Sequence, residues 1–198
     1  MALKHVAVIT TLFIIGAFLG FLNESMSGAS IALNALLYSL IFIIGALVVL
    51  EVRSIEVIAF SLKLALMLAA STVIGSALGG IIVGALIEGS LKPYLAVALG
   101  MGWYTFTGPF LSITNNYWGL LGFTSNVLRE AATFIIYPLL AKKFSIEAIS
   151  IGGATTMDTT LPVIARYGGE KAALTALVHG FILTLLIPIL IPLIMELL

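Results

Sequence analysis

The sequence predicts an all-α polytopic membrane protein, and three observations carry that prediction. Apolar residues make up 61% of the chain and charged residues only 9%, against roughly 25% charged in an ordinary soluble domain. Nine basic and nine acidic residues cannot supply a polar coat for 198 residues. The apolar residues also fall into runs of membrane-spanning length, roughly 20 residues each. A soluble enzyme and a nucleic-acid binder are excluded on these grounds. The formal net charge is zero, so nothing steers an acidic partner over long range. The absence of cysteine excludes disulfides, thiolate nucleophiles and cysteine-based metal sites.

About seven membrane segments follow from the breaks in apolar character. The first covers residues 6–22 and ends at Asn23, Glu24 and Ser25; it reads as a span and an insertion signal in one. The second covers 31–50 and is closed by Glu51, Arg53 and Glu56. The third covers 58–86, long enough to require tilt, with Lys63 snorkelling near its start. Residues 119–140 form a crossing ended by Lys142 and Lys143, and the last crossing covers 172–195. Pairs spaced for close helix packing (Gly16 with Gly20, Gly75 with Gly79, Gly80 with Gly84) fit a compact bundle. Pro188 and Pro192 bend the final helix.

Two further stretches, 93–113 and 145–166, are interrupted. The first carries Gly100, Gly102, Gly108 and Pro109; the second carries Gly152, Gly153 and Pro162 among four threonines. Each is either a kinked crossing or a discontinuous helix whose free backbone groups face protein or a polar cavity. Two such stretches in one small chain favour the discontinuous reading, because transporters build substrate sites from helices broken near the midplane. With seven crossings, Lys4, Arg53, Arg166 and Lys171 fall on one side and Lys92, Lys142 and Lys143 on the other. That split sets no orientation.

Ionisable residues inside hydrocarbon cost about 2.5–3.5 kcal/mol each on insertion scales, which singles out Arg129, Glu130 and Asp158. Adjacent helical residues point about 100° apart, so Arg129 and Glu130 either fix helix packing or face an ion or substrate path. Asp158 sits among Thr155, Thr156, Thr159 and Thr160. It either caps a restarting half-helix, with Pro162 in the tolerant first turn, or joins the hydroxyls in holding a cation or ammonium group. Gly152 and Gly153 would let backbone approach such a ligand.

A second polar group comprises Tyr104, Thr105, Ser125 and Asn126, the last two one turn before the Arg129–Glu130 pair. Asn126 either bonds across helices or lines the cavity. His179 is either satisfied by a neighbour or relays protons. No phosphate loop, HExxH motif, nucleophile elbow or base–nucleophile pair is present. No enzyme activity, cofactor or metal is therefore expected.

The pieces GWYTFTG (102–108), SNVLRE (125–130), GGATTMDTTLPV (152–163), RYGG (166–169) and VHG (178–180) resemble, in order and spacing, the lysine exporter family of LysO-like membrane proteins. The resemblance covers the C-terminal part of full-length members and implies an inner-membrane protein that exports L-lysine and its analogue thialysine by exchange for protons. It also implies a fold akin to the cation/proton antiporters. It maps essential intramembrane acidic residues onto Glu130 and Asp158, with Arg129 at the family's arginine and as a charge partner. Some members carry an acidic residue where this chain has Asn126. Full-length members are longer, so a homodimer or a separately encoded membrane partner is expected to complete the transporter. The alternatives are a small-cation/proton antiporter using the same carboxylates, and a non-transporting subunit of a larger transporter.

Overall fold

Helix α1 (Ile55–Leu86) opens the part of the chain that the computed structural model describes, residues 55–87 and 90–197 with side chains for 61–87 and 90–196. The predicted spans 6–22 and 31–50, with Gly16 and Gly20, lie outside the described residues. Then come α2 (Leu91–Ala98), α3 (Tyr104–Ser112) and α4 (Asn116–Phe144). Two 3-10 turns, η1 (Glu147–Ile151) and η2 (Gly153–Met157), lead into α5 (Leu161–Leu197). Every regular element among the described residues is helical.

Two helices are long and apolar enough to cross a membrane, Ser61–Leu86 and Leu161–Glu196. Helix α4, 29 residues and so about 43 Å long, has the length but carries Arg129, Glu130, Lys142 and Lys143. The helices present large apolar side chains outward, among them Ile74 and Leu78 on α1, Ile135 and Leu139 on α4, and Leu185 and Ile189 on α5. Apolar exposure on this scale fits a bilayer rather than water. Gly80 and Gly84 let α2 lie directly on α1: a methyl at either would meet Leu95, Ala98, Leu91 or Tyr94. Gly75 and Gly79 face open space instead.

Each of the two interrupted stretches doubles back along α4. Helix α2 starts beside the start of α4, with Tyr94 edge-on to Trp118 at 4.9 Å, and reaches Asn126, whose amide bonds Val97 O. Helix α3 then runs back along α4, Tyr104 against Phe123 and Ser112 against Gly119. The chain thus enters and leaves at the same end of α4, the Tyr117 side. The break lies at residues 99–103, where Met101 (φ 41°) and Gly102 (φ 94°) take left-handed backbone. Gly108 and Pro109, expected at the interruption, are instead inside α3; Gly108 is a close contact with Phe123, and Pro109 sits on the exposed face.

The second stretch mirrors this from the other side. Tyr137, near the end of α4, donates its hydroxyl to Ser145 O at 2.8 Å and also lies against Gly168. Between these two points the chain runs through η1 and η2 to the level of Arg129 and back along residues 161–168. Helical geometry ends at Gly169 (φ 78°, ψ −176°), and residues 170–197 then cross toward the Tyr117 side, with His179 and Gly180 against η2. The described residues therefore hold two candidate membrane spans, the long helix α4 between them, and two hairpins that fold back along α4 from opposite ends. The α-helical arms of the first hairpin, 8 and 9 residues long, span only about half of a 30 Å hydrocarbon core.

Candidate functional site

The tips of the two hairpins meet. Ala154 N–H donates to Met101 O at 2.7 Å, joining them backbone to backbone. Glycine is required on both sides of this contact. Gly102 and Gly153 have positive φ, and a Cβ on either would strike the carbonyl of Gly152 or Met101. Free backbone groups at a membrane midplane need partners, and α4 provides them. Gly102 N–H donates to Asn126 Oδ1 at 2.6 Å, while Asn126 Nδ2 reaches Gly122 O and Val97 O. Asn126 both bonds across elements and lines a cavity.

Arg129 serves the second hairpin. Its guanidinium donates to Ile151 O at 2.8 Å, Ser150 O at 3.0 Å and Ser76 Oγ at 3.0 Å. These carbonyls close η1, where no intrahelical partner remains for them, so the positive fork meets the negative end of a short helix. The expected pairing of Arg129 with a carboxylate is not what these bonds provide; its hydrogen bonds go to carbonyls and a hydroxyl. Glu130 lines neither of the two cavities described here. The Tyr104 hydroxyl lies within electrostatic reach of both Glu130 and Asp158, and the two carboxylates lie within reach of each other.

Asp158 follows η2 at the second tip. Its Oδ1 accepts from Thr159 N–H at 2.6 Å and, longer, from the Thr159 hydroxyl. Thus the carboxylate bonds its neighbour rather than capping α5, although Pro162 does fall in the first turn of that helix. Asp158 borders a cavity of about 80 Å³ with Gly102, Trp103, Tyr104, Thr105, Thr155, Met157, Thr159 and Thr184. Pro109 has no N–H for the Thr105 carbonyl four residues earlier, one turn from that cavity wall. The expected ring of four threonine hydroxyls around Asp158 does not form. Thr156 and Thr160 are fully buried, and neither lines a cavity described here. Thr155 and Thr160 hydroxyls bond backbone at Gly152 O and Thr155 O, the local bonding that threonine favours where backbone is irregular.

Thr156 instead meets His179. The fully buried imidazole contacts Thr156 Oγ1 through Nδ1 at 2.9 Å and Thr72 Oγ1 through Nε2 at 3.0 Å. Both ring nitrogens are thus satisfied by hydroxyls, tying α1, η2 and α5 together.

A larger cavity of about 450 Å³ lies on the other side of the first hairpin, lined by α1, α2 and α4 with Ser125, Asn126 and Arg129 at its deep end. The two cavities share no lining residue. Thr72, Ser76, Met157 and Thr184 escaped sequence reasoning. Thr72 and Ser76 carried a signal, two small polar residues one turn apart in a mostly apolar helix; Thr184, among ordinary apolar neighbours, did not.

A profile of the family described as Lysine exporter LysO matches residues 10–195. A protein of Escherichia coli (strain K12) named "Lysine exporter LysO" is 36% identical over 129 residues, 64% of this chain and 42% of that protein. A protein of Haemophilus influenzae named "Putative lysine exporter" is 32% identical over 132 residues, 65% of this chain and 66% of that protein. The matched part of the chain thus spans under half of the first relative and about two thirds of the second. No solved structure matches the chain.

Proposed function

Because the chain belongs to the lysine exporter LysO family, we propose that it exports L-lysine and close cationic analogues across the cytoplasmic membrane, in exchange for protons. The observation that carries this reading is Asp158, a carboxylate at the meeting point of two opposed hairpins, with one oxygen held by Thr159 and a cavity beside it. Asp158 takes the substrate ammonium, helped by the Thr159 hydroxyl and the π faces of Trp103 and Tyr104. Protonation of the carboxylate releases the cation on one side, and substrate displaces the proton on the other. Glu130 shares this exchange through Tyr104, which sits within reach of both acids. The transporter works as a homodimer or with a separately encoded membrane partner.

The cavity at Asp158, about 80 Å³, is far below the roughly 300–1,000 Å³ of small-molecule sites. For lysine, this conformation is therefore one in which the hairpin tips are closed. The same observation favours a second reading, a small-cation/proton antiporter in which sodium alone occupies Asp158. Proteoliposomes loaded with labelled lysine or with sodium, under an imposed pH gradient, distinguish the two. Lysine efflux that disappears in Asp158→Asn and falls in Glu130→Gln is expected. Wild-type-like lysine efflux in both variants would overturn the assignment, and sodium-only exchange would establish the second reading.

A further inference from the structure

The larger cavity is distinct from the Asp158 site, with which it shares no lining residue. It runs along α4 from Tyr117 to Arg129, twelve residues apart in sequence and so about 18 Å. One end is formed by Ile87 at the end of α1, Tyr94 near the start of α2 and Tyr117 near the start of α4. Three helix ends coincide there, as expected of a mouth at the membrane surface on the Tyr117 side. The walls are apolar, with Val83, Val97 and Leu121.

The deep end is polar and positively charged. Three bonds occupy Arg129, and its guanidinium has five N–H donors, so two remain. Among the described residues no carboxylate pairs with it. Both Asn126 amide hydrogens are committed to carbonyls, and the Ser125 hydroxyl donates to Leu121 O, leaving its oxygen as an acceptor. A ligand here thus meets charged donors at the floor and aliphatic walls above them.

We propose that this groove is a vestibule of the transport path, binding an amino acid with its α-carboxylate on Arg129 and its aliphatic side chain along Val97 and Leu121. This rests on the export reading above and adds to it a second docking position with the opposite polarity to Asp158. The volume of about 450 Å³ lies within the ordinary range for small-molecule sites. The length exceeds that of one amino acid, as befits a passage rather than a fitted pocket. The first hairpin contributes walls to both this groove and the Asp158 cavity and is held by the Gly102–Asn126 bond.

The chain contains no cysteine, so single-cysteine variants can be read without background. In purified protein, Ser125→Cys is expected to react with a hydrophilic thiol reagent, and L-lysine is expected to slow that reaction severalfold. This readout needs no turnover and is made in the Asp158→Asn background as well, so it stands apart from the failure of the export assignment. Absence of labelling, or labelling that lysine does not slow, overturns the vestibule. Slowing by a medium-chain fatty acid but not by lysine also overturns it and assigns the groove to an acyl chain. Two plugs complete the test, since a Cβ at Gly79 or Gly75 meets nothing within 4 Å but only Gly79 lines the groove. Gly79→Leu is expected to lower lysine flux about tenfold while Gly75→Leu leaves it unchanged. Equal flux in the two variants overturns the proposal.

Discussion

Gly102 donates its backbone N–H to the side-chain oxygen of Asn126 at 2.6 Å, and this bond pins the tip of the first hairpin to α4. Asn126 is 3% exposed and bonds two further carbonyls with its amide hydrogens. One side chain thus satisfies the free Gly102 N–H at the break and ties it to a carbonyl of α2 and a carbonyl of its own helix. Asn126→Leu keeps the branched four-heavy-atom outline of the side chain and removes all three bonds. An unsatisfied buried polar group costs about 1–3 kcal/mol, so the variant is expected to melt well below wild type in detergent. An unchanged melting temperature would show that the hairpin tip does not depend on this bond.

Gly102 and Gly153 form the contact between the tips, and each combines positive φ with a carbonyl where a Cβ would sit. Gly102→Ala and Gly153→Ala are expected to lose most folded protein, since backbone rather than a flexible side chain blocks the methyl. Gly75 offers the control: it is helical and open, so Gly75→Ala is expected to be neutral or to stabilise by up to about 1 kcal/mol. The readout is monodisperse yield and melting temperature. Equal tolerance at all three positions would contradict the backbone contact.

These residues also mark what could be read from the chain alone. Gly100, Gly102, Gly152, Gly153 and the acids stood out because each is costly or permissive in hydrocarbon, and all of them lie at or beside the hairpin tips. The direction of the chain past each interruption was not legible. A kinked crossing and a re-entrant hairpin share the same glycine, hydroxyl and proline signature, and hydropathy carries no sign of direction. Only Tyr94 beside Trp118, and Tyr137 touching both Ser145 and Gly168, reveal the reversals. Threonine composition likewise overstated the polar site, because Thr156 and Thr160 spend their hydroxyls on His179 and on backbone.

Arg129→Lys separates charge from geometry at the second hairpin. The substitution keeps a cation, but an ammonium cannot fork onto Ser150 O and Ile151 O while also reaching Ser76. Loss of one or two charge-assisted bonds, each worth about 1.5–3 kcal/mol, is expected to lower the melting temperature. It is also expected to increase proteolysis between Ser145 and Gly169. Wild-type stability in Arg129→Lys would mean that charge alone holds η1.

Asp158→Asn tests function with the fold held constant. An asparagine oxygen still accepts from Thr159 N–H, so the local turn and the melting temperature are expected to stay near wild type while lysine efflux disappears. A variant that unfolds would instead make Asp158 a structural residue.

The hairpins also reset the charge count that determines orientation. Each stretch returns to the side it left. Lys142, Lys143, Arg166 and Lys171 therefore all lie near the Tyr137 side, and Lys92 lies near the Tyr117 side. Among the described residues these four basic side chains against one predict, by the positive-inside rule, that the Tyr137 side faces the cytoplasm. On that prediction the groove and its Tyr117 mouth open outward. Single cysteines introduced as Lys92→Cys and Lys143→Cys report this directly with a membrane-impermeant maleimide on intact cells. Lys92→Cys is expected to label at once and Lys143→Cys only after permeabilisation; the reverse pattern would invert the topology and make the groove an intake.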